Sequence, residues 1–171
     1  MLMLHLPQTL RGWNGKCNMS TFSVSYDGLV DAVTCTVAIA QTEPFKDSGG
    51  NYLRCNAMWD TGALYTVVSK RVVAKLALAP IDSGIAYTVQ GSYEAAVYLL
   101  DLMLPNRMLV KALRVSEGDF DDCDILIGMD VIRLGDFSVT NLNNTIFSFR
   151  IPSEGRSPMQ NEHCIGANDF V

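Results

Sequence analysis

In two neighbouring segments of the chain, large apolar residues or cysteines recur at nearly every second position with Ala, Thr or polar residues between most of them, and this pattern limits the possible folds more than any other feature of the sequence. The first segment covers residues 31–41 and the second covers residues 52–59. Because successive side chains of a strand point to opposite faces, such alternation predicts strands with one buried face. Gly49-Gly50 lies between them and predicts a turn. We therefore expect a β-hairpin and a chain in which strands predominate.

The predicted hairpin ends at Asp60-Thr61-Gly62-Ala63, directly after the apolar residues Ala57-Met58-Trp59. A carboxylate at the end of a buried strand is costly to keep charged, and such a group is usually present for chemistry. Two other segments share the pattern of Asp, then Ser or Thr, then Gly. Asp47-Ser48-Gly49 lies in a polar run that predicts a solvated loop, and Asp82-Ser83-Gly84 predicts a local turn. Only Asp60 follows an alternating strand, so Asp60 is the candidate functional carboxylate.

A second candidate element lies much later in the chain, at Leu126-Ile127-Gly128. The apolar residues before Gly128 predict a short strand, and the residues after it predict a helical segment. A first short helix is predicted over residues 69–78, with Ser69 as its N-cap and Pro80 beyond its end.

Strand patterns also fill most of the remaining sequence after Asp60. We expect strands at residues 85–89, 95–104, 108–115, 136–140 and 145–150. A turn over residues 90–94 joins the first two of these strands, and residues 117–122 form an acidic loop. The predicted fold class is therefore all-β.

Three elements follow one another in the sequence: a turn of catalytic type, a hairpin able to act as a flap, and a late apolar strand that ends in glycine. This order resembles that of the retroviral-type aspartic proteases, or retropepsins. The chain looks most similar to their bacterial, single-lobe relatives, and the resemblance covers roughly residues 30–150. It implies a closed, mostly antiparallel β-barrel with one or two short helices. It also implies that each subunit contributes one catalytic aspartate, here Asp60.

The resemblance further implies roles for the residues around Asp60. Thr61 exchanges hydrogen bonds with its mate in a second subunit, and Gly62 leaves room for backbone to approach the carboxylate. Together with Asp60 they form the predicted catalytic set. The predicted substrate-binding residues form the floor of the groove, the flap and its surroundings: Ala63, Leu64, Val89, Gln90, Gly91, Ser92 and Ile127.

Catalysis by an aspartic protease needs two carboxylates that share one proton. Because the sequence supplies one carboxylate in the right context, the second must come from another copy of the chain. We therefore expect a homodimeric aspartic endopeptidase that acts on polypeptides. Viral members usually carry Asp and Arg where this chain has Leu64 and Met129. This departure leaves a second possibility, a dimeric peptide-binding or assembly module without hydrolysis, and a third, a protease whose polar tail is removed or docks in the cleft.

The length of 171 residues, with 49% hydrophobic and 18% charged residues, predicts one globular domain, since a two-lobed enzyme would need about twice this length. We divide the chain into an N-terminal arm or strand (1–30), a protease domain (31–152) and a polar C-terminal tail (153–171).

Charge and cysteine content narrow the function classes further. The net charge of -5 and the pI near 4.9 argue against binding to nucleic acid. The apolar start, residues 1–6, is too short for a membrane span and lacks a basic leader, and the five cysteines show no paired spacing. We therefore expect a cytoplasmic protein with free, buried thiols and no membrane partner.

No cofactor or metal is expected. The aspartates of residues 119–124 match no calcium-binding loop well and predict a solvated acidic turn. His5 and His163 lack the spacing of metal ligands.

Overall fold

The computed structural model describes residues 20–43, 52–88 and 91–153. Within these ranges the chain is built mainly from strands. The strands are β1 (Ser20–Ser25), β2 (Thr34–Gln41), β3 (Leu53–Trp59), β4 (Val67–Ser69), β5 (Asp82–Thr88), β6 (Gly91–Met103), β7 (Leu109–Gly118), β8 (Ile125–Ile127), β9 (Asp136–Asn141) and β10 (Thr145–Ile151). The helices are α1 (Lys70–Lys75) and α2 (Met129–Ile132).

Six of these strands close into a barrel. Their order is β2-β3-β8-β4-β7-β6, and β6 pairs again with β2. The pairs β3–β8 and β4–β7 are parallel, and the other four pairs are antiparallel. Closure leaves no free edge between the first and last strands. The predicted fold class, a closed and mostly antiparallel β-barrel with one or two short helices, is confirmed.

The strand β5 lies outside the barrel and pairs only with the first half of β6, from Thr88 opposite Gly91 to Asp82 opposite Val97. We call the described residues of this pair, 82–88 and 91–97, the flap hairpin. Most of its side chains are exposed as far as Glu94, and burial begins at Ala95. The flap hairpin therefore projects from the barrel.

A separate three-stranded antiparallel sheet, with the order β1-β10-β9, covers one side of the barrel. Its inner face contributes four phenylalanine rings whose centroids lie 4.8–6.1 Å from the indole of Trp59. These rings belong to Phe22, Phe137, Phe147 and Phe149. The indole N–H of Trp59 also donates to the sulfur of Cys35 at 3.2 Å. The sheet thus holds the last residue of β3 in a fixed position.

Two local predictions are wrong. Asp82-Ser83-Gly84 forms no isolated turn, because each of the three residues has a cross-strand partner at the start of β5. Gly91 to Glu94 likewise belong to β6, where they pair with Thr88 back to Ile85. In both places the ladder of the flap hairpin outweighs the turn preference of Gly, Ser and Asp. Asp47-Ser48-Gly49 and the turn at Gly49-Gly50 lie outside the described residues.

The helices are short. α1 follows Ser69 as predicted but ends at Lys75 instead of residue 78. The hydroxyl of Ser69 is buried and has no hydrogen-bond partner within the described ranges, so Ser69 holds the N-cap position without making the usual cap bond. No helix in the described part of the chain is long and apolar enough to cross a membrane.

Three cysteines, Cys35, Cys55 and Cys123, are free and buried, as predicted for free thiols. Burial raises the pKa of the Cys55 thiol to about 12. Cys17 and Cys164 lie outside the described residues. The division of the chain at residues 30 and 152 stays a prediction, and β1 pairs along its whole length with β10.

Candidate active site

Asp60 is the first residue after β3, at the point where the chain leaves the barrel wall. Trp59 before it is only 6% exposed, whereas Asp60 is half-buried. The N–H of Trp59 donates to the carbonyl of Val33 at 2.9 Å, and the N–H of Asp60 donates to the carbonyl of Ile127 at 2.9 Å. Asp60 therefore stands on a fixed backbone with its side chain partly accessible.

The turn after Asp60 closes on its own carboxylate. The N–H of Gly62 donates to Oδ1 of Asp60 at 2.8 Å, and the N–H of Ala63 donates to the Asp60 carbonyl at 3.3 Å. A Cβ at position 62 would lie 3.1 Å from the same Oδ1, so glycine leaves the space that the carboxylate occupies. Thr61 and Gly62 are exposed. The turn thus presents an open surface around a carboxylate with a defined position.

The late strand β8 lies between the two strands that flank this turn. It runs parallel to β3, with Ile127 opposite Trp59, and antiparallel to β4, with Leu126 opposite Val67. The short strand predicted before Gly128 is therefore present, and it braces the turn from its place between β3 and β4. A Cβ on Gly128 would lie 2.6 Å from the backbone carbon of Tyr65, so the loop and the start of α2 approach as closely as their backbones allow.

The loop after the turn is also tied to α2 through two polar residues that the sequence analysis missed. Asp130 is 5% exposed and Thr66 is 0% exposed. Both the N–H and the hydroxyl of Thr66 donate to the Asp130 carboxylate, at 2.9 and 2.7 Å. A signal was present, because Asp130 is a single carboxylate within the apolar run of residues 125–132, where a charge needs partners.

A third set of contacts is made by Asp124, the residue directly before β8. Asp124 accepts from the N–H of Asn56 at 2.8 Å and pairs with the guanidinium of Arg71 on α1. Burial favours the neutral form of Asp124, but the Asn56 N–H and the Arg71 guanidinium outweigh it and hold the pKa of this carboxyl below its ordinary value. These contacts join α1, β3 and the residue before β8.

The predicted substrate-binding residues nearest the turn lie in different surroundings. Ala63 is half-buried, and Leu64 is 74% exposed. Ile127 is fully buried in the barrel core, so in this conformation it supports Asp60 through its carbonyl and has no surface to offer a peptide. Leu64 therefore buries little of its apolar surface within one chain.

The predicted flap residues lie at the far end of the flap hairpin. Gly91 and Ser92 are exposed and begin β6, with Gly91 at a φ of +133° that favours glycine. Val89 and Gln90 lie outside the described residues. Ile85, which pairs with Glu94 nearer the barrel, is also exposed, with 64% of its surface accessible.

Comparisons with known proteins bear on the fold alone. No protein-family model matches the chain, and no curated protein matches it. Similar solved structures include three aspartic proteases. The retropepsin-like aspartic protease of Rickettsia conorii is 19% identical, with a TM-score of 0.41, over 71% of this chain and 97% of that one. The EIAV protease complexed with the inhibitor HBY-793 is 20% identical, with a TM-score of 0.47, over 64% and 91%. The Simian Foamy Virus (mac) protease is 23% identical, with a TM-score of 0.39, over 57% and 89%.

The resemblance to retropepsins that the sequence predicts is thus also found among solved structures. The identities are low and the TM-scores modest. A similarity of this degree concerns the fold and assigns no role to any residue of this chain.

Proposed function

We propose that the chain is an aspartic endopeptidase that works as a homodimer. The Asp60 carboxylates of two copies would lie about 3 Å apart and share one proton. The ionised carboxylate takes a proton from water as the water attacks a peptide carbonyl, and the protonated carboxyl donates to the carbonyl oxygen.

The single observation that carries the proposal is the setting of Asp60. Its backbone N–H is hydrogen-bonded to β8, and its carboxylate accepts a hydrogen bond from the N–H of Gly62 within the turn. The next two residues, Thr61 and Gly62, are exposed. No ion pair of Asp60 occurs among the described residues, and the one printed hydrogen bond to its carboxylate, from the Gly62 N–H, is to Oδ1.

Of the two described segments with the pattern Asp, then Ser or Thr, then Gly, only the one at Asp60 has an aspartate without an ion pair in the described structure. Asp82, in the other described segment with the same pattern, is paired with Arg114 at the base of the flap hairpin. A general acid and a general base of the same type therefore require a second copy, and a two-fold axis next to Asp60 would bring the exposed Thr61 residues of both copies together.

Exposed apolar side chains on the loop after Asp60 and on the flap hairpin support an extended polypeptide as substrate. Leu64 and Tyr65 on the loop are 74% and 68% exposed, and Ile85 and Tyr87 on the flap hairpin are 64% and 81% exposed. Such side chains suit apolar groups of a peptide. The outer edge of β5 has no strand partner in the described sheet, so its backbone is able to pair with an extended chain.

Asp60→Asn is the direct test, measured with purified protein and a mixture of internally quenched peptides. We expect cleavage to be abolished, because an amide is unable to act as the base, while the thermal unfolding midpoint stays near that of the wild type. Asp119→Asn is the matched control, since the Asp119 side chain is 86% exposed and pairs only with Lys70 in the described structure. Cleavage by Asp60→Asn at the wild-type rate would refute the assignment.

The requirement for two copies has its own test. If chains exchange freely, mixing equal amounts of wild type and Asp60→Asn places about half of the wild-type chains in mixed dimers, and activity per wild-type chain falls accordingly. Dilution should also lower the specific activity as protomers separate. Activity that is unchanged by both treatments would contradict a shared site.

A second candidate is a dimeric peptide-binding module with the same fold but without hydrolysis. The observation in its favour is Leu64, an exposed apolar residue where the resemblance leads one to expect a charge that grips the peptide backbone. Turnover that a statine-type transition-state mimic inhibits would exclude it. We further infer a cytoplasmic location from the three free, buried thiols. Bacterial origin stays a prediction.

A further inference from the structure

Asp130 is a buried carboxylate with contacts that reach the loop after Asp60. Its Oδ2 accepts from the N–H of Thr66 at 2.9 Å. Its Oδ1 accepts from the Thr66 hydroxyl at 2.7 Å and from the N–H of Val131 at 2.9 Å. Three donors thus converge on two oxygens in a site that is only 5% exposed.

The Thr66 hydroxyl has a defined direction. It accepts from the N–H of Gly128 at 3.2 Å, so its single proton is available for Asp130. A relay therefore runs from the Gly128 N–H through Thr66 to the Asp130 carboxylate. The relay joins the loop to the first residues of α2 at the point where the loop enters β4.

The same short segment, residues 127–130, holds the loop at three places. The Ile127 carbonyl accepts from Asp60 at 2.9 Å, the Met129 N–H donates to the Ala63 carbonyl at 2.8 Å, and Asp130 binds Thr66. We propose that Asp130, acting through Thr66, is a positioning residue that sets the place of the Asp60 turn. This inference rests on the proposed function for its catalytic consequence, but its structural part stands alone.

The chemistry at position 130 calls for a carboxylate. An asparagine has nearly the same shape but replaces one acceptor oxygen with an NH2 group. That group would face either the Thr66 N–H or the Val131 N–H, and a buried donor would lose its partner. Thr66→Val removes the hydroxyl instead and leaves the Gly128 N–H without an acceptor, whereas Thr66→Ser keeps the relay.

The chain contains a matched control far from the turn. Asp101 is also 5% exposed and accepts from a threonine hydroxyl, that of Thr42, at 2.7 Å and from the N–H of Ala112 at 2.9 Å. Asp101 pairs with Ala40 of β2. Ala40 lies near the end of the β2–β3 hairpin that is farther from Asp60. Ala40 is six residue positions from Thr34 along β2, which is roughly 20 Å.

The experiment compares Thr66→Val and Asp130→Asn with Thr42→Val and Asp101→Asn in the full chain, at a temperature where every variant is folded. Internally quenched peptides supply kcat and KM, and hydrogen exchange reports the amides of Asp60 and Gly62, neither of which contacts Thr66 or Asp130. We expect kcat/KM to fall roughly ten- to hundredfold in the first pair, mainly through kcat, since small displacements of catalytic groups have effects of this size. Both amides should exchange faster, and Thr66→Ser should retain most of the activity and protection.

Each result has a definite consequence. Unchanged exchange of the Asp60 and Gly62 amides in Thr66→Val would overturn the inference, and so would a loss of kcat/KM no larger than in Thr42→Val. If the wild type cleaves no peptide, the proposed function fails, and the amide exchange alone decides the positioning role. If Asp130→Asn does not fold, Thr66→Val carries the test with the carboxylate intact.

Discussion

Gly128 has no room for a side chain, and replacing it with alanine is the sharpest test of how the catalytic-type turn is held. An added Cβ would lie 2.6 and 2.7 Å from the backbone carbon and oxygen of Tyr65 and 2.9 Å from the carbonyl oxygen of Ala63. Relief to 3.0 Å needs a displacement of about 0.4 Å, and ordinary contact at 3.4 Å needs about 0.8 Å. Because the obstructing atoms belong to the backbone, no side-chain rotation removes the clash.

The displacement has a calculable effect on stability and activity. The loop and α2 are joined by the hydrogen bond from Met129 to Ala63, which would lengthen as they separate. Overpacking and one weakened buried hydrogen bond together predict a loss of about 3 kcal/mol in the free energy of unfolding. A shift of this size at the turn also predicts a roughly ten- to hundredfold lower kcat/KM.

Denaturant unfolding and peptide cleavage measure the two effects in Gly128→Ala. Gly84→Ala is the control for the effect of the substitution itself on stability, because its Cβ would meet nothing closer than 4.0 Å. Gly135→Ala controls for overpacking elsewhere, since its Cβ would lie 2.0 Å from the carbonyl oxygen of Arg150. Gly135→Ala should lose stability but keep the activity of its folded fraction. Wild-type stability and activity in Gly128→Ala would refute the close approach on which this reasoning depends.

Two further predictions concern the support of the turn. Phe147 is 0% exposed, and its ring centroid lies 5.1 Å from that of Trp59. Phe147→Ala should therefore lower the free energy of unfolding, measured by denaturant titration, by about 3–5 kcal/mol. A loss under about 1 kcal/mol would contradict the packing. Asp124 has a lowered pKa, so its contribution to stability is complete above the unfolded-state pKa and disappears as the pH falls through the folded-state pKa. Between about pH 5 and pH 2, the thermal midpoint of the wild type should therefore fall more steeply than that of Asp124→Asn, and parallel curves would count against the Arg71 and Asn56 contacts.

The local parts of the fold could be predicted because they depend on near neighbours in the sequence. Alternation identified β2 and β3 to within a few residues, and the glycine after Leu126-Ile127 marked the end of β8. The failures also have a local cause. Asp82-Ser83-Gly84 has the composition of a turn, and only its pairing with residues 95–97 converts it into strand.

The polar ties of the turn could not be derived in this way. Thr66 and Asp130 are 64 residues apart, and nothing in the immediate sequence of either indicates the other. Asp130 by itself signals that a buried carboxylate needs donors. The identity of those donors follows only from β8 lying between β3 and β4.

By itself, the sequence determined the strand periodicity, the position of the Asp60 turn at the end of β3 and the short strand that ends before Gly128, because side-chain alternation and backbone freedom are properties of adjacent residues. The tertiary structure alone decided the closure of β6 onto β2, the insertion of β8 between β3 and β4, and the burial of Asp130 against Thr66. These features join residues far apart in the chain, and their stability comes from burial and hydrogen bonds that exist only once the barrel has closed.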